Sequence, residues 1–250
     1  MSKKISLDEL WRSARRDGRR FDPDTLAALP DAARRYLEHA IAPGTPLASA
    51  VRLKMHGEIK LRRWLPFTAE EVIDWKEGMI WKASVRMNGL PIVGSDRFIE
   101  NEGSMRWKLL GLIPVMKASG PEITRSAIGR VAAESVWLPS VLCNENVSWH
   151  EIDASHFRVG FEYHGENIEY TFSIDEKGGL QSISLPRWGD PDGKGFRYET
   201  FGGVVEEERS FGGYTIPTRL RLGWFYGSDR FESEGEFFRG VVDETEYNQG

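Results

Sequence analysis

Val51-Arg52-Leu53-Lys54-Met55-His56-Gly57-Glu58-Ile59-Lys60-Leu61-Arg62 decides the fold class. Val51, Leu53, Met55, Ile59 and Leu61 share one phase with Gly57, and every side chain between them is polar or charged. Successive side chains of a strand point to opposite faces, so a period of two predicts a half-buried antiparallel strand. The same period returns in Phe157-Val159-Phe161-Tyr163, in Ile168-Tyr170-Phe172-Ile174 and in Tyr214-Ile216-Leu220-Leu222-Trp224-Tyr226. Between the runs stand Asp153-Ala154-Ser155, Glu176-Lys177-Gly178-Gly179 and Gly212-Gly213, residues suited to tight turns, and Asn88-Gly89 is a two-residue hairpin signal.

Working outward, further strands are expected at about 67–75, 79–87, 92–100 and 104–110, and then at 147–152, 156–164, 167–175, 179–185, 196–201, 203–211, 214–226 and 229–240. Many short strands at regular spacing mean a sandwich or barrel. Upstream, the period is helical. Ser6 and Glu9 form a capping box ahead of Leu7, Leu10, Trp11 and Ala14; Asp22-Pro23 marks a second start; Leu29-Pro30-Asp31 opens a helix with Ala33, Tyr36, Leu37, Ala40 and Ile41 on one stripe. Helical character recurs at 122–138, bracketed by strands, and reads as an insertion or crossover. The expectation is an N-terminal helical segment, residues 1–45, packed on one β-domain, residues 46–250.

Bulk properties narrow the function classes. A length of 250 residues is compatible with one all-β domain. Nine Trp, thirteen Phe and seven Tyr supply large rings for a sizeable core or a roomy pocket. Net charge is −5, yet residues 1–20 carry seven Lys or Arg against three acids, so the remainder is acidic. An acidic body excludes sequence-independent nucleic-acid binding, which requires a basic surface. Cys143 is the single cysteine, so no intrachain disulfide forms. Met1 to Lys4 is polar with no apolar run behind it, and the longest apolar stretch, Leu109 to Met116, is far shorter than the ~20 residues of a membrane-spanning helix. These features predict a cytoplasmic protein. The basic front helix, with Leu7, Leu10 and Trp11 inserted, offers at most weak peripheral membrane contact.

Leu29-Pro30 with Arg35-Tyr36-Leu37, Trp64-x-Pro66-Phe67, Arg130-x-x-x-Glu134-x-x-x-Leu138-Pro139, Trp149 and Gly212-x-x-x-Ile216-Pro217 follow one another in an order that resembles a family of uncharacterised bacterial proteins. That family is thought to share the fold of the periplasmic lipoprotein carriers of the LolA and LolB type. The resemblance covers roughly residues 29 to 240 and implies a mainly β (α+β) fold: a strongly curved antiparallel sheet, an unclosed β-barrel, with a helical plug and N-terminal helices. The chain departs from the carriers in lacking their signal sequence and lipobox cysteine, so lipoprotein sorting is not expected of it.

Candidate site residues come from the 122–138 segment and the aromatic set. Arg130 and Glu134 are four apart and share a helix face amid Val131, Ala132, Ala133, Val136, Trp137 and Leu138. Across a curved sheet, Arg130 is placed to meet an anionic head group, with Glu134 holding it; a partly buried ion pair docking the helix is the ordinary alternative. Asp96 falls on the inward phase of Ile92-Gly94-Asp96-Phe98 and needs a partner, for which Arg130 is a candidate. Trp81, Trp107, Trp137 and Trp149 are the tryptophans expected to line a ligand pocket.

Other motifs fail on inspection. His39, His56, His150, His156 and His164 make no zinc spacing; His164-Gly165-Glu166 lacks the Pro-Cys-x-x-Cys of zinc deaminases; Asp190-Pro191-Asp192-Gly193-Lys194-Gly195 fails as a calcium loop because Lys194 stands at a ligand position. No cofactor or metal is expected. The leading function is a binding or carrier protein holding an apolar or anionic amphipathic small molecule. The competing readings are a cofactor-independent enzyme using Glu134 or Asp96 as base with Arg130 stabilising charge, and a purely structural or interaction module.

Overall fold

The computed structural model describes residues 5–16 and 18–249; Lys3, Lys4 and Asp17, which enter the N-terminal charge count, lie outside the described residues. Among the described residues there are thirteen strands: β1 Ala50–Lys60, β2 Trp64–Asp74, β3 Gly78–Met87, β4 Leu90–Ile99, β5 Glu102–Leu109, β6 Ile113–Ser119, β7 Ser148–Glu151, β8 His156–Tyr163, β9 Glu166–Ile174, β10 Leu180–Gly189, β11 Arg197–Phe211, β12 Tyr214–Trp224 and β13 Glu236–Tyr247. The helices are α1 Leu7–Ser13, α2 Asp31–Ala40 and α3 Pro121–Ala133. Among the described residues no helix is long and apolar enough to cross a membrane.

All strands join one antiparallel sheet in the order β6-β5-β4-β3-β2-β1-β13-β12-β11-β10-β9-β8-β7. It is two meanders meeting at a central seam, where β1 pairs with β13 from Val51↔Tyr247 to Ile59↔Phe238. The meanders end on β6 and β7, which do not pair, so the barrel stays open. The connection from β6 to β7 must therefore pass from one outer edge of the sheet to the other. Along this path α3 packs against β4, β5 and β6 on one side and β9 and β10 on the other. It plugs the opening, continued by 3-10 turns at Glu134–Trp137 and Pro139–Cys143.

The core fills the concave side. Tyr36, Phe98, Phe157, Tyr170, Phe172 and Tyr214 are each at most 2% exposed, and Phe157 stacks on Phe172 at 5.0 Å between ring centroids. Each such ring contributes roughly 1.5–3 kcal/mol by leaving water. Phe21, Leu26, Tyr36 and Leu37 of the N-terminal segment belong to this same cluster. By contrast, α1 covers the other face of the sheet, where Leu7 and Leu10 meet Val72 and Ile80 in a small separate cluster. This is why Val72 and Ile73, adjacent and pointing to opposite faces, are both buried. The capping box holds as expected: Glu9 N–H donates to Ser6 Oγ (3.2 Å) and Ser6 N–H to Glu9 Oε2 (2.8 Å).

Four local expectations are corrected. The 122–138 helix is α only to Ala133, then tightens into a 3-10 turn. The pair expected at 196–201 and 203–211 is one strand, β11, running through Gly202-Gly203. A side chain at those positions would strike the Ile183 carbonyl at 2.3 Å or the Arg221 carbonyl at 1.9 Å, so the glycines serve close strand approach and make no turn. The last strand starts at Glu236, because Phe231–Gly235 forms a π-helical turn, and ends at Tyr247 beyond the expected 240. β6 is a strand beyond those expected; its residues are almost all exposed, so no alternation marks it.

Candidate functional site

Between the concave face and the α3 plug lies a cavity of about 390 Å³. Met55, Ile183, Phe201, Leu220, Trp224 and Phe237 contribute to its apolar wall, and Arg130, Arg187, Glu71, Glu134 and Asp96 its polar end. Small-molecule pockets run from about 300 Å³ upward, so the volume suits a compact ligand or one short chain.

Arg130 sits in the last turn of α3, and its guanidinium engages a carboxylate on each nitrogen. Nε donates to Glu134 Oε1 at 2.6 Å, Nη1 to Asp96 Oδ2 at 3.0 Å and Nη2 to Glu71 Oε1 at 3.4 Å. The guanidinium carbon lies 5.0 Å from the Trp81 ring centre. Its side chain is 21% exposed although deep in the fold, because that surface faces the cavity. Burial works against its charge, but Glu134, Glu71 and Asp96 outweigh this and raise its pKa. Helix spacing places Glu134 beside Arg130; Glu71 comes from β2 and Asp96 from β4. The pair thus docks the plug on the sheet, the ordinary reading of its spacing.

Three carboxyl groups around one guanidinium leave excess negative charge. Glu71 is wholly buried, and burial first, the Glu134 charge second, hold its pKa well above 4.5. Glu71 Oε2 and Glu134 Oε2 are each buried with no other hydrogen-bond partner, while the two side chains are within hydrogen-bonding contact. A proton held by Glu71 can serve the contact between the two carboxyl groups. Asp96 is raised as well, by burial, against the pull of Arg130 and of Trp107, whose Nε1–H donates to Asp96 Oδ1 at 2.9 Å.

Arg187, on β10, is the counterpart. Its Nε donates to the Ser126 carbonyl at 3.3 Å, and its guanidinium lies 4.7 Å from the Phe201 ring centre and 5.2 Å from that of Trp224. No carboxylate comes within ion-pair distance of it among the described residues. Burial, then the nearby Arg130 charge, lower its pKa to about 10 against the opposing pull of Glu134 and Asp96, so it stays protonated at neutral pH. Gly129 makes room for it: a side chain there would meet Arg187 Cγ at 3.0 Å.

Of the residues singled out in the sequence, Arg130, Glu134, Asp96, Trp81 and Trp137 line the cavity. Trp137 is fixed by its Nε1–H donating to the Pro217 carbonyl at 3.1 Å. Trp107 stands behind Asp96, its ring 5.7 Å from that of Trp81. Trp149 is elsewhere: it packs on Phe157 and lines a second, more polar hollow of about 400 Å³ beside Arg19, Phe21 and Cys143. Arg130 is in contact with three carboxyl groups, whereas no carboxylate lies within ion-pair distance of Arg187 among the described residues. Glu71 and Arg187 were missed. Each shares the phase of inward apolar neighbours, Phe67 and Ile73 for Glu71, Ile183 and Leu185 for Arg187. Among the described residues no group of three or more His, Cys, Asp or Glu is arranged to hold a metal ion.

Fold and site together define a mainly β protein: an open, curved antiparallel sheet, plugged by a helix, around a lined cavity. The chain belongs to DUF6920, a family of unknown function, whose model matches residues 27–247. Its structure is similar to that of a LolA superfamily protein from Nitrosomonas europaea, with 8% identity, 88% of this chain and 93% of that one covered, and a TM-score of 0.47. It is also similar to a putative outer membrane lipoprotein-sorting protein domain from Vibrio parahaemolyticus, with 6% identity, coverage of 81% and 86%, and a TM-score of 0.37. No curated protein matches the chain.

Proposed function

We propose that this protein binds an amphipathic monoanion, its apolar part in the cavity and its head on Arg187, as a carrier or sequestering protein. The observation that carries the reading is a half-buried, charged guanidinium facing a largely apolar cavity with no carboxylate in ion-pair contact among the described residues. A buried charge is costly unless paired, and a ligand anion supplies the missing pair. Each methylene moved from water to the apolar wall adds about 0.8 kcal/mol. The acid–base reading is less well served: both Asp96 oxygens are engaged, by Trp107 and Arg130, and Glu134 Oε1 is engaged by Arg130.

The test is thermal unfolding with dodecanoate and with dodecyltrimethylammonium, each below its micelle concentration. Dodecanoate should raise the Tm of the wild type; the cation, with the same tail, should not. Arg187→Met should abolish the dodecanoate effect. A wild-type Tm indifferent to alkyl carboxylates, sulfates and phosphates of C8 to C14 sinks the reading.

A further inference from the structure

The turns after β1, β3 and β5 stand side by side at one end of the first meander. Arg63 hydrogen-bonds Asn88 across two of them, and the Leu110 N–H donates to the Pro91 carbonyl at 2.8 Å across the next pair. Large apolar side chains project from all three: Leu61 is 58% exposed, Leu90 46%, Leu112 78% and Ile113 57%, with Val115 and Met116 beside them. These are the residues of the chain's longest apolar stretch together with their neighbours. A soluble protein rarely gathers so many exposed apolar side chains without something covering them.

The charges in the same place are of one sign. Residues 59–68, 84–94 and 106–118 contain Lys60, Arg62, Arg63, Arg86, Arg106, Lys108 and Lys117, and not one Asp or Glu, in a chain whose net charge is −5. Six of the seven are exposed, and none makes an ion pair among the described residues. In the second meander the exposed arginines are paired, as Arg219 is with Glu207 and Arg239 with Glu236.

We propose that this end of the sheet docks on an anionic lipid bilayer, with Leu61, Leu90, Leu112 and Ile113 entering the interface and the basic residues meeting the head groups. Apolar tips ringed by unpaired cations match a surface that is negative outside and apolar beneath. A second copy is disfavoured, because the patch repels itself. Strand addition along β6 is hindered by Pro114 and by the register shift between Trp107 and Lys108. The N-terminal helix is replaced as the contact, since its Leu7 and Leu10 are 8% and 0% exposed and already packed on the sheet. The surface also shares a rim with the cavity: Ile59, on the cavity wall, is two residues from Leu61. The proposal stands on the patch alone and does not require the cavity to hold a ligand.

Flotation with phosphatidylcholine vesicles, with and without 30 mol% phosphatidylglycerol, tests it on the full chain. Wild type should float with the anionic vesicles at 100 mM NaCl, at least tenfold more than with the neutral ones, and largely detach at 500 mM. Leu112→Ser with Ile113→Ser, and separately Arg62→Glu with Lys108→Glu, should each reduce binding at least tenfold with an unchanged circular dichroism spectrum. Arg15→Glu with Arg16→Glu should bind like wild type. The proposal is overturned if wild type ignores anionic vesicles, if either patch variant still binds, or if the patch variants change only the oligomeric state or the capture of a protein partner.

Discussion

Arg130 and Arg187 line one cavity and sit in opposite electrostatic surroundings. Arg130 has a carboxyl group on each guanidinium nitrogen, whereas Arg187 has a backbone carbonyl and two aromatic faces. The first arrangement is internally complete and ties α3 to β2 and β4. The second gives the cation no ion-pair contact among the described residues, only the longer-range pull of Glu134 and Asp96. The difference separates a charge neutralised by carboxylates in direct contact from one that has none within ion-pair distance among the described residues; both are half-buried.

The largest effect that sharpens this contrast is expected at Arg130. Arg130→Met leaves Glu71, Asp96 and Glu134 facing one another without a cation, and should cost about 3–5 kcal/mol in urea unfolding, as removing one partner of a buried ionic cluster does. A loss below about 1 kcal/mol breaks the assignment of Arg130 as the clamp. Next in size is the pH dependence of Glu71. Its folded pKa is raised, so the proton it holds stabilises the fold fully below the unfolded value near 4.5, and that stability is lost as pH rises toward the folded pKa. Wild type should lose on the order of 1 kcal/mol per pH unit through that window, and Glu71→Gln should be flatter between pH 5.5 and 8.5. Parallel pH profiles for the two proteins contradict a proton shared by Glu71 and Glu134. The smallest stability effect belongs to Arg187→Met, within about 1 kcal/mol of wild type in the absence of ligand, because no ion pair is broken. A loss as large as that of Arg130→Met erases the comparison.

Much of the architecture was readable from period and punctuation. The alternation of residues 51–62 located the first strand, and the clusters at 153–155, 176–179 and 212–213 are all turns between strands. The resemblance supplied the open sheet and its plug, which no local pattern contains. β6 escaped because the stretch from Leu109 to Met116 has neither alternation nor a buried face. The seam of β1 with β13 escaped because it is a pairing between residues nearly two hundred positions apart, as in Val51 with Tyr247. In the site, helix spacing joined Arg130 to Glu134, and inward phase flagged Asp96. The same phase test applied to residues 65–73 finds Glu71. Arg187 lies beyond the strand expected at 179–185, which in the structure runs four residues further, to Gly189.

The position of the seam governs when the molecule becomes whole. Each meander is built from neighbours in the chain, so β1 to β6 and β7 to β12 assemble from short-range pairings alone. The strand that joins them follows the other twelve in the chain, and it enters the middle of the sheet. Until residue 247 has left the ribosome, β1 and β12 both present open edges, and the walls of the cavity belong to two unattached halves. A chain cut short before β13 therefore loses the middle of the sheet, and its two meanders are joined only through the crossover that carries the plug.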